Sequence, residues 1–199
     1  MKYLFSLLLL CFCVLAEAQT SKQNKSYLMP QIGVLDGDHS TSMQFQVVGG
    51  IQKNNWQFGI GTGLDYYKIR SMPLFLDIRH FFGNNKRAFA LVNLGYNIPW
   101  PLEEQYKLVY QPSENRNLKS KFEMGLYSDI GIGYQIPLGK KQILSLSLGY
   151  SVKENTEIYD ARYDWIWGWP ITQPGAENNE KRVDYTFRRL SFKTGIKLW

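Results

Sequence analysis

Apolar and polar residues alternate along most of this chain, most clearly from Leu144 to Val152. The even positions there are Leu, Leu, Leu, Tyr and Val, and the odd positions are Ser or Gly. A period of two residues is typical of a β-strand with one apolar and one polar face. Seven other segments repeat the pattern, and no window keeps a helical period. The sequence therefore predicts an all-β chain of eight strands, at about residues 27–35, 42–52, 56–67, 72–82, 88–98, 122–138, 143–152 or beyond, and 183–199.

The links between the predicted strands differ systematically in length. Tight turns at Lys53–Asn55, Gly83–Arg87 and Gly139–Gln142 follow the second, fourth and sixth strands. Long links at residues 99–121 and 153–182 follow the fifth and seventh strands. The links after the first and third strands are shorter, at about Asp36–Thr41 and Lys68–Ser71. Eight-stranded outer-membrane barrels have short periplasmic turns and longer outward loops. The pattern predicts an antiparallel up-and-down transmembrane barrel over residues 26–199, with both ends of the barrel segment on the periplasmic side.

The composition of the two faces indicates which one points outward. The apolar face is uncharged through its central stretches, as contact with lipid requires. The polar face is rich in Gly and amides, which suits a narrow lumen and sharp curvature, whereas a face in water would carry more Lys, Glu and Thr. We therefore expect the apolar face to point outward. The alternative is a soluble lipocalin-like periplasmic carrier, whose apolar face would enclose a ligand.

The first 18 residues have the features of a signal peptide. Lys2 precedes the apolar run Leu4–Leu15, and Ala16 and Ala18 stand where signal peptidase requires small residues. The run is shorter than the ~20 residues of a membrane-spanning helix. Cleavage after Ala18 would leave a short periplasmic segment at residues 19–25 and no cysteine in the mature chain.

The net charge of +6 does not indicate a nucleic-acid partner. Basic residues occur at most in adjacent pairs, such as Lys140-Lys141 and Arg188-Arg189. An exported chain seldom meets nucleic acid, and solvated turns attracted to anionic lipid headgroups explain the charge more simply.

Charged residues on the inward phase predict a polar network in the lumen, with Gln31, Gln44, Gln46 and Gln135 among them. Buried charges must pair and form hydrogen bonds. A gated proton or ion path is one interpretation, but we expect a structural plug of salt bridges in so narrow a barrel. The predicted members of the network are Asp65, Asp77, Arg79, Glu123, Asp129, Arg189, Lys193 and Lys197.

The chain resembles the small OmpA/OmpX-type eight-stranded barrels, the outer membrane protein β-barrel domain family, over residues 26–199. The most specific segment is Leu190–Trp199, because barrels of this group commonly end on an aromatic residue that the barrel-assembly machinery reads. Here the apolar phase runs through Ile196 and Leu198 and leaves Trp199 out of step. The resemblance implies the outer membrane of a Gram-negative bacterium, contact with its lipid and lipopolysaccharide, and a structural or surface-binding role without a shared active site.

Residues that could carry chemistry are few, so we expect a non-enzymatic protein without cofactors. Some eight-stranded barrels modify lipid A, and His39 lies among Asp36, Asp38 and Ser40 in an outward link, where it could act as a general base. The same residue types are ordinary in turns. A lipid A-modifying enzyme therefore remains an alternative. With two histidines in the chain and no cysteine in the expected mature protein, we expect no metal site.

The link after the seventh strand is the best candidate for a binding surface. If the flanking strands extend beyond the membrane, its aromatic rings would line one face of a projecting hairpin. Exposed Trp and Tyr are common interface anchors, and their rings also stack on sugars. Alternatively, the rings cap the mouth of the barrel or lie in the outer leaflet. The candidate residues are Tyr163, Trp165, Trp167 and Trp169.

Overall fold

In the computed structural model, the described residues are 25–101, 121–139, 142–160, 165–166, 169–170 and 180–199. The predicted signal peptide and residues 19–24 lie outside them. No helix in the described part is long and apolar enough to cross a membrane. The strands are β1 (Lys25–Gly37), β2 (Ser40–Lys53), β3 (Trp56–Asp65), β4 (Ser71–Phe82), β5 (Ala88–Pro99), β6 (Lys121–Glu123), β7 (Gly125–Pro137), β8 (Gln142–Asp160), β9 (Trp165–Ile166), β10 (Trp169–Pro170) and β11 (Glu180–Leu198).

Eight of these strands close into an antiparallel barrel. The sheet runs in the order β11-β1-β2-β3-β4-β5-β7-β8, and β11 also pairs with β8, so the sheet has no open edge along these strands. The short strand β6 pairs with β8 beyond the end of β7, and β9 pairs with β10 in a separate two-stranded ladder. The predicted all-β, eight-stranded antiparallel barrel is confirmed.

The register of the strands determines the width of the barrel. A path that steps from each residue to its paired partner, once round the barrel, starts at Ser26 of β1 and ends at Asp36 of β1. This displacement of ten residues is the shear number of the barrel. With eight strands, that stagger gives a strand tilt of about 40° and a backbone radius of about 8 Å, so side chains just fill the interior. The path runs through Ser26, Ile51, Phe58, Ile78, Val92, Ile130, Tyr150, Leu190 and Asp36.

Side chains alternate between the lumen and the outside of the barrel. Large apolar residues at outward positions are strongly exposed, with Ile60, Ile130 and Ile132 at 62%, 60% and 64%. Inward positions are buried and mostly polar, as Gln44 and Asp77 show. An apolar exterior around a polar interior suits insertion in lipid, and it is the reverse of a lipocalin-like carrier.

Strands β8 and β11 are long. β8, predicted to end at Val152 or beyond, reaches Asp160, and β11 starts at Glu180 rather than Val183. The two strands pair continuously from Glu180 opposite Asp160 down to Leu198 opposite Gln142. Residues 153–160 and 180–182 of the predicted link therefore continue the two strands as a projecting hairpin. The sequence obscured it because polar residues occupy both faces there, so the alternation of hydrophobicity is lost.

The predicted sixth strand is interrupted by a β-bulge at Met124. Glu123 lies opposite Thr156, whereas Tyr127 lies opposite Lys153, so three residues on one strand face two on the other. A shift of one residue moves every following side chain to the other face of the sheet. The backbones of β7 and β8 approach each other closely at Gly125. A Cβ atom at this position would lie 2.0 Å from the carbonyl oxygen of Glu154.

Candidate functional site

The outer part of the lumen is organised around Asp65 at the end of β3. Arg189 Nη1 lies 2.5 Å from Asp65 Oδ2, and Lys153 Nζ lies 3.3 Å from Asp65 Oδ1. All three side chains are fully buried. Lys153 Nζ also donates hydrogen bonds of 2.8 Å to the carbonyl oxygens of Tyr67 and Ile69. One carboxylate and two carbonyls thus hold two cations at the end of the lumen opposite the β2–β3 and β4–β5 turns.

A second cluster lies at mid-height around Asp129 of β7. Lys193 forms a buried ion pair with this carboxylate, and Ser191 Oγ donates to Asp129 Oδ1 at 3.1 Å. The neighbouring inward residue of β7, Tyr127, accepts a hydrogen bond of 3.0 Å from Gln46 Nε2 on the facing wall. These contacts connect strands on opposite sides of the barrel through its centre.

The third cluster contains Asp77 and Arg79, two inward residues of β4. Arg79 Nε and Nη2 both donate to the carboxylate of Asp77, at 2.9 Å in each case. Arg79 Nη1 donates to Ser145 Oγ at 3.3 Å, and the guanidinium lies 5.1 Å from the centroid of the Phe89 ring. A planar guanidinium can satisfy several partners at once, which is why Arg suits such a buried position.

Lys197 occupies the other mouth of the lumen. Its Nζ donates to Gln52 Oε1 at 3.0 Å and to Gln135 Oε1 at 3.3 Å. The same ammonium group lies 4.1 Å from the ring of Trp199 and 5.7 Å from the ring of Phe81. Within the described residues, amide oxygens and aromatic rings stabilise this cation, in place of a carboxylate.

Apolar side chains fill the space between the polar clusters. One group lies near mid-height and a second lies towards the mouth with the short turns. Because the clusters and apolar groups alternate along the axis, the interior has the character of a packed plug. The two groups are Tyr27, Met29, Val48, Phe75 and Tyr127, and Phe81, Phe89 and Leu91.

Seven of the eight residues predicted for the lumen network do face the lumen. They form separate clusters rather than one continuous chain of charges. The predicted network does not include Lys153, although the strand is predicted to reach Val152 or beyond, and Lys153 is fully buried in the lumen. Alternation continued past that point would have included it, since Lys153 follows Ser151 on the same inward phase.

The prediction that Glu123 belongs to the lumen network is wrong. The bulge at Met124 turns Glu123 to the same outward face as Thr156, which lies opposite it in the ladder. There it is partly exposed, and its Oε2 lies 3.5 Å from Arg182 Nη1. The alternation assigns Glu123 to the lumen because it is an even number of residues from Asp129. The extra residue of a bulge exchanges inward and outward positions, and the amino-acid composition does not reveal it.

Glu123 instead belongs to a polar surface on the projecting hairpin. Thr156 Oγ1 donates to Asp184 Oδ1 at 2.6 Å, and Arg182 Nε donates to the same oxygen at 3.3 Å. The hydrogen bond from Thr156, and then the one from Arg182, lower the pKa of the Asp184 carboxyl below its usual value. Beside this surface, between Tyr96 of β5 and β11, lies a cavity of about 440 Å³ with mixed polar and apolar walls.

The described residues include some of the other candidates. Trp165 and Trp169 belong to the ladder of β9 and β10, in which Trp169 is opposite Ile166. Tyr163 and Trp167 lie outside the described residues. His39 is exposed in the turn between β1 and β2, with a positive φ of 56°. No group of three or more possible metal ligands occurs in the described part of the chain.

Comparison with known proteins gives similarity at the level of structure. No protein-family model matches this chain, and no curated protein matches it in sequence. The crystal structure of the outer membrane protein OprG from Pseudomonas aeruginosa is similar, with a TM-score of 0.50, 10% identity, and coverage of 88% of this chain and 96% of that chain.

Two further solved structures resemble the chain less closely. Outer membrane protein AlkL, solved in lipid bilayers by solid-state NMR, has a TM-score of 0.45 and 9% identity, covering 88% of this chain and 85% of that one. Neisserial surface protein A (NspA) has a TM-score of 0.42 and 11% identity, covering 89% of this chain and 99% of that one. The closed barrel and the similarity to OprG define the class: this chain has the fold of a small eight-stranded outer-membrane β-barrel.

Proposed function

We propose that this protein is a non-enzymatic barrel of a Gram-negative outer membrane, with a structural or surface-binding role exercised through its outer loops. The observation that carries the proposal is the division of its surfaces. Large apolar side chains are exposed round the outside, and the charges are buried and paired inside. In water the exposed apolar side chains would make this arrangement unfavourable. In a bilayer those side chains contact lipid, and the charged side chains are kept out of the hydrocarbon.

The packing of the lumen favours anchoring over transport. Each buried carboxylate of the three lumen clusters has a cationic partner, and aromatic and aliphatic side chains separate the clusters. An ion passing through would have to displace several buried pairs. We therefore assign the charges a structural role, in which Asp65 connects β3 with β8 and β11 across the lumen.

The projecting hairpin is the part suited to binding. Outward residues on β11 change from apolar at Leu190 to polar at Arg188, Thr186 and Asp184. This change marks where the wall leaves the hydrocarbon region, so the remaining length of β8 and β11 extends into the headgroup layer or beyond it. We propose that Tyr163, Trp165, Trp167 and Trp169 form a contact surface at its tip, for lipopolysaccharide sugars or a surface partner.

The C-terminal strand supports a role for the assembly machinery. β11 pairs with β1 to close the barrel, and the chain ends on Trp199 directly after it. The Trp199 ring lies over Lys197 at the mouth, in step with the inward phase. We propose that the machinery binds this strand and its terminal aromatic residue before the barrel closes.

Electrophoretic heat-modifiability of the protein from an outer-membrane fraction tests the proposal. A closed membrane barrel stays folded in cold dodecyl sulfate and changes mobility after boiling. We expect such a shift, with the protein in that fraction. A soluble periplasmic protein without a shift would overturn the proposal.

The loop assignment has its own test. The triple substitution Trp165→Ala, Trp167→Ala and Trp169→Ala is expected to leave the mobility shift intact and to weaken binding to lipopolysaccharide-containing vesicles. His39→Ala is the matched loop variant, and we expect it to behave like the parent protein. Loss of lipid A modification in cells carrying His39→Ala would instead support an enzyme.

A further inference from the structure

Among the described residues, the exposed charged side chains at the barrel end with the β2–β3 and β4–β5 turns are basic. Lys53 precedes the turn between β2 and β3, Lys86 and Arg87 lie in the turn between β4 and β5, and Lys25 begins β1 at the same end. All four side chains are exposed. Among the described residues, the acidic residue closest in sequence to these positions is Asp77, which is buried in the lumen and paired with Arg79.

The opposite end has charges of both signs. Asp36 and Asp38 flank the turn between β1 and β2, and Glu123 and Asp184 lie on the hairpin with Arg182. The excess of positive charge is therefore not spread evenly over the molecule. Among the described residues, it is concentrated at the end with the β2–β3 and β4–β5 turns.

Aromatic side chains set the depth of these cations in a membrane. Trp56 and Phe82 are exposed on the outer face at the same end, by 45% and 46%. Lys53 lies directly opposite Trp56 in the ladder, and Lys25 Nζ lies 5.3 Å from the centroid of the Trp199 ring. Exposed Trp residues settle at headgroup depth, so cations beside them are within reach of lipid phosphates.

We propose that Lys25, Lys53, Lys86 and Arg87 form a basic rim that binds the phosphate groups of anionic phospholipids. The rim runs along one side of the barrel, from β1 to β5, and can therefore contact several neighbouring headgroups in one layer. Cations near an anionic lipid surface are each attracted to it, and several act together. The inference rests on the proposed function, since it requires the barrel to lie in a bilayer with its short turns in the periplasmic leaflet.

The test is the lipid selectivity of the full barrel in vesicles. The protein is refolded into phosphatidylcholine vesicles that contain a trace of spin-labelled phosphatidylglycerol or spin-labelled phosphatidylcholine. The fraction of each label that is motionally restricted by the protein gives the relative association constant. We expect a preference for phosphatidylglycerol of about threefold or more, which falls at high salt because ions screen the attraction.

A matched pair of variants locates the effect. Lys53→Gln, Lys86→Gln and Arg87→Gln together are expected to reduce the preference towards one. Lys68→Gln, Lys121→Gln and Arg188→Gln remove the same charge from the other end and are expected to leave most of the preference in place. An equal loss in both triple variants would overturn the proposal.

Heat-modifiability of each sample distinguishes failure of the proposed function from failure of the basic-rim proposal. A sample without a mobility shift has no closed barrel, and that result in the parent protein would overturn the proposed function itself. A parent barrel that shows the shift and has no preference for phosphatidylglycerol would overturn the basic rim alone. An acidic periplasmic polymer would then be the partner to examine.

Discussion

Arg189 of β11 reaches across the lumen to Asp65 of β3, and 2.5 Å separates Nη1 from Oδ2. The two residues are far apart in the sequence, and neither strand is the neighbour of the other in the sheet. The pair therefore connects two walls that no backbone ladder joins. Lys153, the second cation on Asp65, adds β8 to the same connection.

Neutralising Asp65 tests the importance of this connection. Asp65→Asn would leave two buried cations without their carboxylate, and we expect the free energy of unfolding to fall by about 3–5 kcal/mol. Guanidinium unfolding of the refolded barrel in lipid vesicles measures the change. Asp38→Asn, in an exposed turn, is the matched control with an expected effect within about 0.5 kcal/mol. If both variants lowered the free energy of unfolding equally, the Asp65–Arg189 pair would not stabilise the barrel.

The lipid-facing band is tested by a charge at its centre. Ile130 faces outward near the middle of β7, and Ile130→Arg should lower stability by about 2–4 kcal/mol in a bilayer. Leu138 is similarly exposed just after the end of β7, and Leu138→Arg should cost only about 0–1 kcal/mol at the interface. Unfolding in vesicles of defined thickness measures both. If Leu138→Arg lowered stability more than Ile130→Arg, the apolar exterior around Ile130 would not lie in the hydrocarbon region.

The bulge is tested at Gly125. In Gly125→Ala the new methyl group would meet the carbonyl of Glu154, so we expect a loss of about 1–3 kcal/mol as β7 and β8 separate locally. A Cβ on Gly139 would have no atom within 4 Å, so Gly139→Ala serves as the control. The control should be neutral or slightly stabilising. Unchanged unfolding of Gly125→Ala would contradict the close approach.

The hairpin surface should respond to acid through Asp184. Its pKa is lowered by hydrogen bonds from Thr156 and Arg182, so its stabilising contacts are fully present above the usual carboxyl pKa. They are lost as the pH falls through the lowered value. Thr156→Val should raise the pKa of Asp184 towards its usual value, as measured by carboxyl carbon NMR in micelles. Thr41→Val, on the distant turn of β2, should leave the titration unchanged, and a similar curve in both variants would refute the assignment.

The orientation of the barrel can be tested with introduced thiols. Asn55→Cys lies in a short turn, and Lys121→Cys lies at the opposite end. A membrane-impermeant maleimide should label Lys121→Cys in intact cells, and Asn55→Cys only after the outer membrane is opened. Labelling of Asn55→Cys in intact cells would reverse the proposed orientation.

The strands of the barrel were predictable because one face had to be apolar along its whole length in the membrane. From Ser40 to Pro99 the predicted and observed strands differ by no more than two residues at any end. Between Val152 and Asp160 this requirement no longer applies, because both faces of β8 are mainly polar there. The sequence therefore leaves the end of this strand open, at Val152 or beyond.

The sequence by itself determined the class of fold, the lipid-facing side and most of the charged residues of the lumen, since each follows from alternation and from the energetic penalty of charge in hydrocarbon. Only the tertiary structure decided which charges meet. The shear of the barrel aligns Arg189 with Asp65 and Lys193 with Asp129, and the bulge at Met124 removes Glu123 from the lumen. Pairing across a lumen depends on register, and a single inserted residue inverts the phase of a strand without leaving a signal in its composition.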